Sequence, residues 1–301
     1  MSAGFRVSVG VATCGRPADL RRCLAAMAEQ TQPPAEVIVV DQAPSAEGRE
    51  AVEQSGLAGV SYVEQERLGL SASRNLALEL AAGDLLAVTD DDCAPDGRWL
   101  EALTGAFARL PAPDIVTGPI HPLGDAPAGA HAISLRVEDT ACDYRGRVQP
   151  WGVGSGGNFA GGVGRLRELG GWDERLGAGS PGMAAEDAEI IYRALRAGSL
   201  IRFEPAAVVR HAWQTADRRM ATRWSYGYGV GAMCGLVLAG RDLYSLRMIA
   251  GYLKLHARPA LKALLRRERG PMRERALALL SPFAGLVHGL RSSRRPARVR
   301  A

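Results

Sequence analysis

The sequence predicts an α/β protein with a doubly wound, mostly parallel sheet, followed by an α-helical, basic C-terminal region. Three observations support this fold class. Between residues 6 and 90, short apolar runs alternate with segments of helical periodicity, which is the pattern of parallel strands joined by crossover helices. Acidic residues follow two of these runs, and open α/β sheets bind ligands at the carboxyl ends of their strands. From residue 213 onward, the chain changes to long helical segments that are dense in arginine.

The first strand shows the alternation clearly, because Val7, Val9 and Val11 are separated by small residues. Strands are predicted at residues 6–12, 36–40, 60–63, 85–88, 115–117, 201–203 and 206–209. Helices are predicted after Pro17, around Val52, from Leu76 to a stop at Gly83, and from Glu186 to a stop at Gly198.

Three adjacent carboxylates, Asp90 to Asp92, follow the apolar run 85–88. No Lys or Arg lies between Asp84 and Arg98 to neutralise them. At the carboxyl end of a buried strand, such a cluster favours a site for a hard divalent cation, which prefers oxygen ligands. The alternative is a capping turn, since Asp is common before helices and beside proline.

Asp41 ends the second predicted strand, so acids stand at the ends of two strands, which favours a nucleotide or metal site over a simple turn. No Gly-x-Gly-x-x-Gly follows the first strand, and no Gly-x-x-x-x-Gly-Lys occurs. These absences argue against a dinucleotide fold and a P-loop NTPase. The first lysine is Lys254, so phosphate recognition before it would use Arg, backbone N–H groups or a metal.

Further motifs lie in the second half of the body. A glycine-rich segment at residues 152–164 surrounds Asn158; it either lets backbone approach a ligand or forms a mobile loop. A Gly-Gly-Trp-Asp-Glu motif begins at Gly170, and a Glu-Asp-Ala-Glu motif begins at Glu186. Acids in a first helical turn are stabilised by the helix dipole without any function, but three of them exceed what a cap needs. His211 becomes a metal-ligand candidate only if it folds back beside the acid cluster.

Composition is that of a soluble globular protein with one large or two modest domains, since 47% of the 301 residues are hydrophobic and 23% are charged. The five cysteines are scattered and form no Cys-x-x-Cys pair. They therefore argue against a disulfide framework or a zinc site and for a reducing compartment. The N-terminal residues lack the apolar core of a signal peptide. We expect a cytoplasmic protein.

The charge is divided between the two parts of the chain. Residues 1–211 carry 19 Arg against 28 Asp or Glu, a balance of −9, and residues 212–301 have a balance of +14. We therefore predict domains at 1–212 and 213–301. Two uncharged runs, between Arg223 and Arg241 and at residues 276–290, are too short to span a bilayer comfortably but suit helices in a membrane interface.

A helical subdomain packed on the body is the alternative reading of the basic region. The expected partner is an anionic membrane surface, which would place the protein peripherally on the inner face of the cell membrane. Nucleic acid is not expected, because no recognised nucleic-acid module is present.

Together these motifs resemble an inverting family 2 glycosyltransferase with the GT-A fold. The resemblance covers residues 7–213 and is carried by Asp90-x-Asp92, the motif at Gly170, Glu186-Asp187, and the segment from Glu204-Pro205 to His211. It implies a nucleotide-diphosphate sugar donor linked to UDP, GDP or dTDP. It also implies a hydroxyl acceptor on a glycan, a lipid-linked compound or a small molecule, and Mn²⁺ or Mg²⁺ as cofactor.

The resemblance further implies a role for each site residue. The nucleotide-binding positions are Thr13, Arg16, Asp41, Arg74 and Asp90. The metal ligands are Asp92 and His211, the general base is Asp187, and the acceptor-binding positions are Glu186, Trp172 and Asn158. One departure concerns the second strand, which in the family usually ends in Asp, then Asn or Asp, then Gly-Ser. Here it ends in Asp41-Gln42-Ala43-Pro44-Ser45, so the nucleotide base stays open.

The implied activity is inverting, metal-dependent glycosyl transfer to an acceptor hydroxyl, in glycan, glycolipid or polysaccharide assembly at the membrane. A nucleotidyltransferase that forms sugar nucleotides would normally carry a Gly-rich loop and a Lys after the first strand, whereas residues 13–20 hold one Gly and no Lys. A non-catalytic binding protein of a membrane assembly would be expected to lose its acids, and Asp90, Asp92 and Asp187 are all present.

Overall fold

The protein is described by a computed structural model covering residues 4–293. The chain divides into two compact units. The first comprises the chain up to Trp172 together with Ile190–Gln214, and the second comprises Asp173–Glu189 together with the chain from Thr215. The division after Gln214 lies close to the predicted boundary at residue 212. The segment 173–189, which the sequence analysis placed in the first domain, groups with the C-terminal helices instead.

The first unit contains the strands of the protein and the helices that join them. Its strands are β1 (Val7–Thr13), β2 (Glu36–Asp41), β3 (Val60–Glu64), β4 (Leu85–Asp90), β5 (Cys93–Pro95), β6 (Ile115–Thr117), β7 (Ile120–Pro122), β8 (Cys142–Tyr144), β9 (Phe159–Gly162), β10 (Ile201–Phe203) and β11 (Val209–His211). Its helices are α1 (Pro17–Ala28), α2 (Ala46–Glu53), α3 (Leu70–Leu80), α4 (Trp99–Ala108) and α5 (Val163–Glu168). Helix α6 (Glu186–Arg196) begins in the second unit and continues in the first.

Eight strands form one sheet in the order β3-β2-β1-β4-β9-β6-β10-β8. Strands β1 to β4 are parallel neighbours, whereas β9 runs antiparallel between β4 and β6. The register pairs Thr13 with Asp41 and Ala12 with Asp90. The carboxyl ends of β1, β2 and β4 therefore meet at one edge, as the sequence predicted. A separate small sheet has the order β5-β11-β7.

The large sheet is covered by helices on both faces. On one face, Val9 of β1 shares a core with Leu24 of α1 and Trp99 of α4. On the other face, Leu86 of β4 shares a core with Leu78 of α3. Burial on both faces explains why β2 and β4 are continuous apolar runs and why the residues between the valines of β1 are small.

The prediction of a strand at residues 206–209 was wrong, because the strand begins at Val209. The preceding residues form a turn in which the backbone N–H of Ala207 donates to the Glu204 carbonyl, over 3.1 Å. The Glu204 carboxylate accepts from the N–H of Ala206 at 3.0 Å, and Pro205 has no N–H to give to a ladder. The shift brings His211 into β11.

The predicted helix stop at Gly83 was also displaced, since α3 ends at Leu80 and Ala81 is already extended. Gly83 is required by close packing, not by the end of the helix, because a Cβ atom there would lie 2.6 Å from the carbonyl oxygen of Arg6. The glycine thus permits the close approach of the chain to β1.

The second unit contains the helices α7 (Ala216–Ala239), α8 (Tyr244–Leu265) and α9 (Arg269–Ser292). Glycines bring the backbones of α7 and α9 into contact. A side chain at Gly231 would overlap the carbonyl oxygen of Pro282, and one at Gly285 would overlap that of Tyr228. Among residues 4–293, no helix combines the length and the apolarity that crossing a bilayer requires.

Candidate active site

Asp41 is buried at the carboxyl end of β2, where both of its oxygens accept hydrogen bonds. The N–H of Ala43 donates over 2.9 Å and the hydroxyl of Tyr62 over 2.7 Å. Burial and this bond to Asp41 raise the pKa of Tyr62 to about 12, so the phenol keeps its proton. Ser45 caps α2 by accepting from the N–H of Gly48. The residues that depart from the family pattern therefore still build an ordered turn.

Asp90 ends β4 and forms an ion pair with Arg74 of α3, at 3.0 Å. The Arg74 side chain is almost entirely buried, whereas Asp90 is partly open to solvent. The glycine-rich segment makes room for this pair, because a side chain at Gly156 would lie 2.6 Å from the Arg74 guanidinium. The hydroxyl of Thr89 in β4 donates to the carbonyl of Gly157 at 2.9 Å. The segment is thus held against the acidic edge.

Asp91 is fully buried beneath this edge. Its carboxylate accepts from the hydroxyl of Thr13 at 2.7 Å and from Nε of Arg16 at 3.0 Å. Burial raises the pKa of Asp91 to about 6, against the opposing effects of the Arg16 charge and the Thr13 hydrogen bond. Thr13 and Arg16 are therefore engaged with the acid cluster in this structure.

Asp92 lies beside His211, with Oδ1 and Nε2 separated by 3.4 Å. The register of the small sheet achieves this, since β11 pairs His211 with Cys93 of β5. The other ring nitrogen of His211, Nδ1, lies 2.9 Å from the carbonyl oxygen of Ala212. A carbonyl can only accept, so Nδ1 carries a proton, and in the Nδ1–H tautomer Nε2 presents its lone pair toward Asp92.

This donor set fits a divalent cation. A carboxylate oxygen and an imidazole lone pair that face each other repel in the absence of a cation or proton, and they are ligands of Mn²⁺-like ions. The ligand atoms of Asp92, Cys93 and His211 lie within 4.8 Å of one another. Burial raises the pKa of the Cys93 thiol, and a protonated thiol is a poor ligand. Arg16 also reaches this point, with Nη1 at 2.7 Å from Oδ2 of Asp92.

Asn158 and Trp172, two of the expected acceptor contacts, are buried inside the first unit. The Asn158 amide accepts from Nε1 of Trp99 at 2.9 Å and donates to two backbone carbonyls. The backbone of Trp172 exchanges two hydrogen bonds with the amide of Asn75, and its ring packs edge-on against Phe159. In this structure Asn158 is fully buried and Trp172 is 2% exposed, so both support the fold from within.

Glu186 and Asp187 open helix α6 in the second unit. The carboxylate of Asp187 accepts from the N–H of Ala188 at 2.7 Å. Just before the helix, Met183 and Ala185 adopt φ of +67° and +69°, a conformation that is costly for residues with a side chain. Such strain persists where the surroundings enforce it, and it clusters at functional sites.

The sequence analysis missed the pairing of Asp91 with Arg16. Strand alternation gives no signal for this pairing, because β4 ends at Asp90 and the next two acids lie in the turn that follows it. The available signal was topological, since β1 and β4 are parallel neighbours whose carboxyl ends lie side by side. Arg16 follows β1 and is the one Lys or Arg among residues 13–20.

Comparison with known proteins decides the family. The model of glycosyl transferase family 2 matches residues 8–161. The chain belongs to this family. It is 30% identical over 203 residues to a pre-mycofactocin glycosyltransferase of Mycobacterium tuberculosis, a match that covers 61% of this chain and 38% of the relative. The chain therefore spans well under two thirds of the length of that relative.

Two solved structures show the same fold. A mannosyltransferase from Pyrobaculum calidifontis, in complex with GDP-Man and Mn²⁺, superimposes with a TM-score of 0.56 at 18% identity, covering 98% of this chain and 88% of its own. GalNAc-T7 with UDP, GalNAc and Mn²⁺ also gives a TM-score of 0.56, at 19% identity, covering 77% of this chain and 51% of its own. The expected GT-A fold of this family 2 member is confirmed.

Proposed function

We propose that the protein is an inverting, metal-dependent glycosyltransferase. It would move a sugar from a nucleotide diphosphate to an acceptor hydroxyl, in glycan, glycolipid or polysaccharide assembly at the membrane. The observation that carries this proposal is the acid cluster at the carboxyl edge of the sheet, in which Asp92 faces His211 at 3.4 Å. The complexes of the two structural neighbours with nucleotide, sugar and Mn²⁺ support the same reading.

Asp92 and His211 would hold the cation, either Mn²⁺ or Mg²⁺. When bound, the cation stabilises the negative charge that develops on the departing diphosphate, as a Lewis acid does. The imidazole is oriented for this role by its Nδ1 hydrogen bond to Ala212, which directs Nε2 toward the carboxylate.

The nucleotide would lie along the ends of β1, β2 and β4. Asp41 and Asp90 offer acceptors for its hydroxyl and N–H groups, and Thr13 a hydroxyl. Arg16 and Arg74 supply the positive charge, because the first lysine of the chain is residue 254. A guanidinium binds phosphate oxygens through paired N–H donors and keeps its charge at any working pH. The nucleotide base distinguishes UDP-, GDP- and dTDP-linked donors, and these contacts do not determine which base is bound.

Asp187 would accept the proton of the attacking hydroxyl, and Glu186 would contact the acceptor. Attack from the face opposite the leaving diphosphate inverts the anomeric centre. A positioned carboxylate contributes about 10²–10⁴-fold to such a proton transfer. The assignment of Asp187 rests on its motif and on its half-buried location at the start of α6, just after the strained residues Met183 and Ala185.

Donor and metal binding are tested by thermal shift of the full chain with UDP-, GDP- and dTDP-sugars, with and without Mn²⁺. Saturation at a hundredfold excess over Kd stabilises a protein by about 2.7 kcal/mol, which shifts the Tm measurably. We expect one donor to act only with the cation, and Asp92→Ala to abolish that shift. Cation-independent binding of every donor, or unchanged binding by Asp92→Ala, would contradict the proposal.

The proton acceptor is tested by Asp187→Asn, which keeps the side-chain shape but cannot accept a proton at neutral pH. We expect donor binding to persist and turnover to fall at least about a hundredfold. Asn and Asp are similar N-terminal helix residues, so a purely structural Asp187 would tolerate the change. Near-normal turnover would transfer the role to Glu186 or Asp173. Release of pyrophosphate instead of nucleoside diphosphate would identify a nucleotidyltransferase.

A further inference from the structure

The end of α8 and the start of α9 form an exposed apolar tip, which we define by Leu261, Leu264, Leu265 and Met272. Leu265 is 75% exposed, Leu261 and Leu264 are more than half exposed, and Met272 is 39% exposed. Soluble proteins rarely leave several large apolar side chains together on one surface without a partner. The exposure of the leucine tip therefore indicates a surface that binds a partner.

Lys and Arg residues are interspersed with the leucine tip along the sequence. Residues 258–273 carry six Lys or Arg and a single acid, Glu268. All six cations are exposed; they are Arg258, Lys262, Arg266, Arg267, Arg269 and Arg273. The nearest approach of Glu268 to one of them, Arg266, is 3.9 Å, so the acid offsets little of this charge.

An apolar face continues from the tip along α9. At 100° per residue, Met272, Leu280, Phe283, Val287 and Leu290 fall within an arc of about 80° on the helix. These side chains are exposed, with Leu280 at 64% and Phe283 at 53%. No Asp, Glu, Lys or Arg lies between Arg275 and Arg291. We call this surface the α9 face.

The side of α9 opposite the α9 face packs against α7, so the helix cannot rotate to bury the α9 face there instead. It carries Ser281, Gly285 and Gly289, which press on the backbone of α7 and have no room for larger side chains. The exposed face is thus fixed outward by the packing within the second unit.

We propose that the leucine tip and the α9 face bind an anionic lipid bilayer, with the helix lying in the plane of the headgroups. Apolar side chains bracketed by arginines are the composition of interfacial helices, and each Lys or Arg near an anionic leaflet adds to the attraction. A second copy of the chain is a poorer occupant, because a twofold contact would bring together two copies of a region with a charge balance of +14. This inference depends only on residues of the second unit and is independent of the proposed transferase activity.

The test is flotation of the full chain with vesicles of phosphatidylcholine alone and of phosphatidylcholine with 30% phosphatidylglycerol, about a third of the lipid being anionic as the electrostatic argument requires. We expect binding to the anionic vesicles only, weakened by salt. Arg266→Gln/Arg267→Gln/Arg269→Gln should weaken it roughly a hundredfold. Leu280→Ser/Phe283→Ser should weaken it at least about tenfold. Leu110→Ser is the matched control, since Leu110 is 88% exposed in the first unit, and it should leave binding unchanged.

Circular dichroism and the urea unfolding midpoint of each variant verify that the fold is intact. Absence of binding to anionic vesicles would overturn the proposal. Binding by the triple arginine variant and by Leu280→Ser/Phe283→Ser that equals wild-type binding would also overturn it. If the wild type does not bind vesicles, light scattering tests the alternative. A dimeric wild type and a monomeric Leu280→Ser/Phe283→Ser variant would assign the α9 face to a second copy of the chain.

Discussion

The pairing of Arg16 with Asp91 makes a quantitative prediction about folding. Asp91 is fully buried, whereas the Arg16 side chain is one-third exposed. Removing one partner of a buried ion pair costs about 3–5 kcal/mol, because the other charge is left uncompensated. The exposure of Arg16 and the remaining hydrogen bond from Thr13 place Arg16→Met at the lower end of that range, at about 3 kcal/mol of unfolding free energy.

Asp91→Asn removes the buried charge and should rescue much of this loss. We expect the double variant Arg16→Met/Asp91→Asn to unfold within about 1 kcal/mol of the wild type, since neutral replacements of buried ion pairs are often tolerated. Urea unfolding of the wild type, both single variants and the double variant gives the coupling energy, expected at about 2 kcal/mol. Additive effects of the two changes would refute the reasoning that Arg16 is needed to neutralise Asp91.

The same double variant tests competition for Asp92. It removes one positive and one negative charge, so the net charge of the cluster is unchanged, but it releases Asp92 from the 2.7 Å contact with Arg16. A partly exposed ion pair contributes about 1 kcal/mol or less, which corresponds to roughly fivefold tighter binding of Mn²⁺ alone. Calorimetry that finds Mn²⁺ binding unchanged or weaker would show that Arg16 does not compete with the cation.

Three further predictions follow from buried contacts. Gly285→Ala should destabilise the protein by about 1–3 kcal/mol in urea unfolding, because the new methyl group forces α7 and α9 apart, whereas Gly270→Ala in open space should be neutral or stabilising. Asn158→Ala should cost about 3 kcal/mol or more, since it leaves the Trp99 indole N–H and the Ala207 carbonyl without partners and removes one of the two donors to the Pro119 carbonyl. Burial, aided by the charges of Arg275 and Arg223, lowers the pKa of His256 to about 4. As the pH is lowered below about 6.5, His256 therefore binds a proton in the unfolded chain but not in the folded chain. The free energy of unfolding should decrease as the pH falls from about 6.5 to 4, and His256→Gln should reduce this pH dependence in urea unfolding.

The central part of the fold was predictable because local signals and burial agree there. Strand β1 is buried along its whole length, and β2 and β4 are buried over most of theirs, so their sequences indicate strands clearly. The acids that end β2 and β4 meet at one edge because both strands are parallel neighbours of β1. The register that pairs Thr13 with Asp41 follows from the parallel order of β1 and β2. Asp41 and Asp90 could thus be placed near each other without a structure.

The small sheet was predicted less well, because its strands depend on tertiary partners. β11 has three residues and pairs with β5 and β7, neither of which has a sequence signal of its own. The apolar run at 206–209 therefore pointed to the wrong residues. The proximity of His211 to Asp92, which depends on that pairing, could be stated in advance only as a condition.

The three consecutive aspartates are tolerated because each has a different electrostatic environment. Asp90 faces solvent and Arg74, Asp91 is buried against Arg16, and Asp92 faces His211. In the sequence they are three like charges without a neighbouring cation, and that view alone would predict strong mutual repulsion. The fold brings the compensating groups from residues 16, 74 and 211, which lie far from the cluster in the chain. Two of the three acids are neutralised by arginines, whereas Asp92 is shared between Arg16 and an imidazole that is cationic only when protonated. Asp92 is thus the acid that faces an imidazole, and a cation added there would meet both a carboxylate and a ring nitrogen.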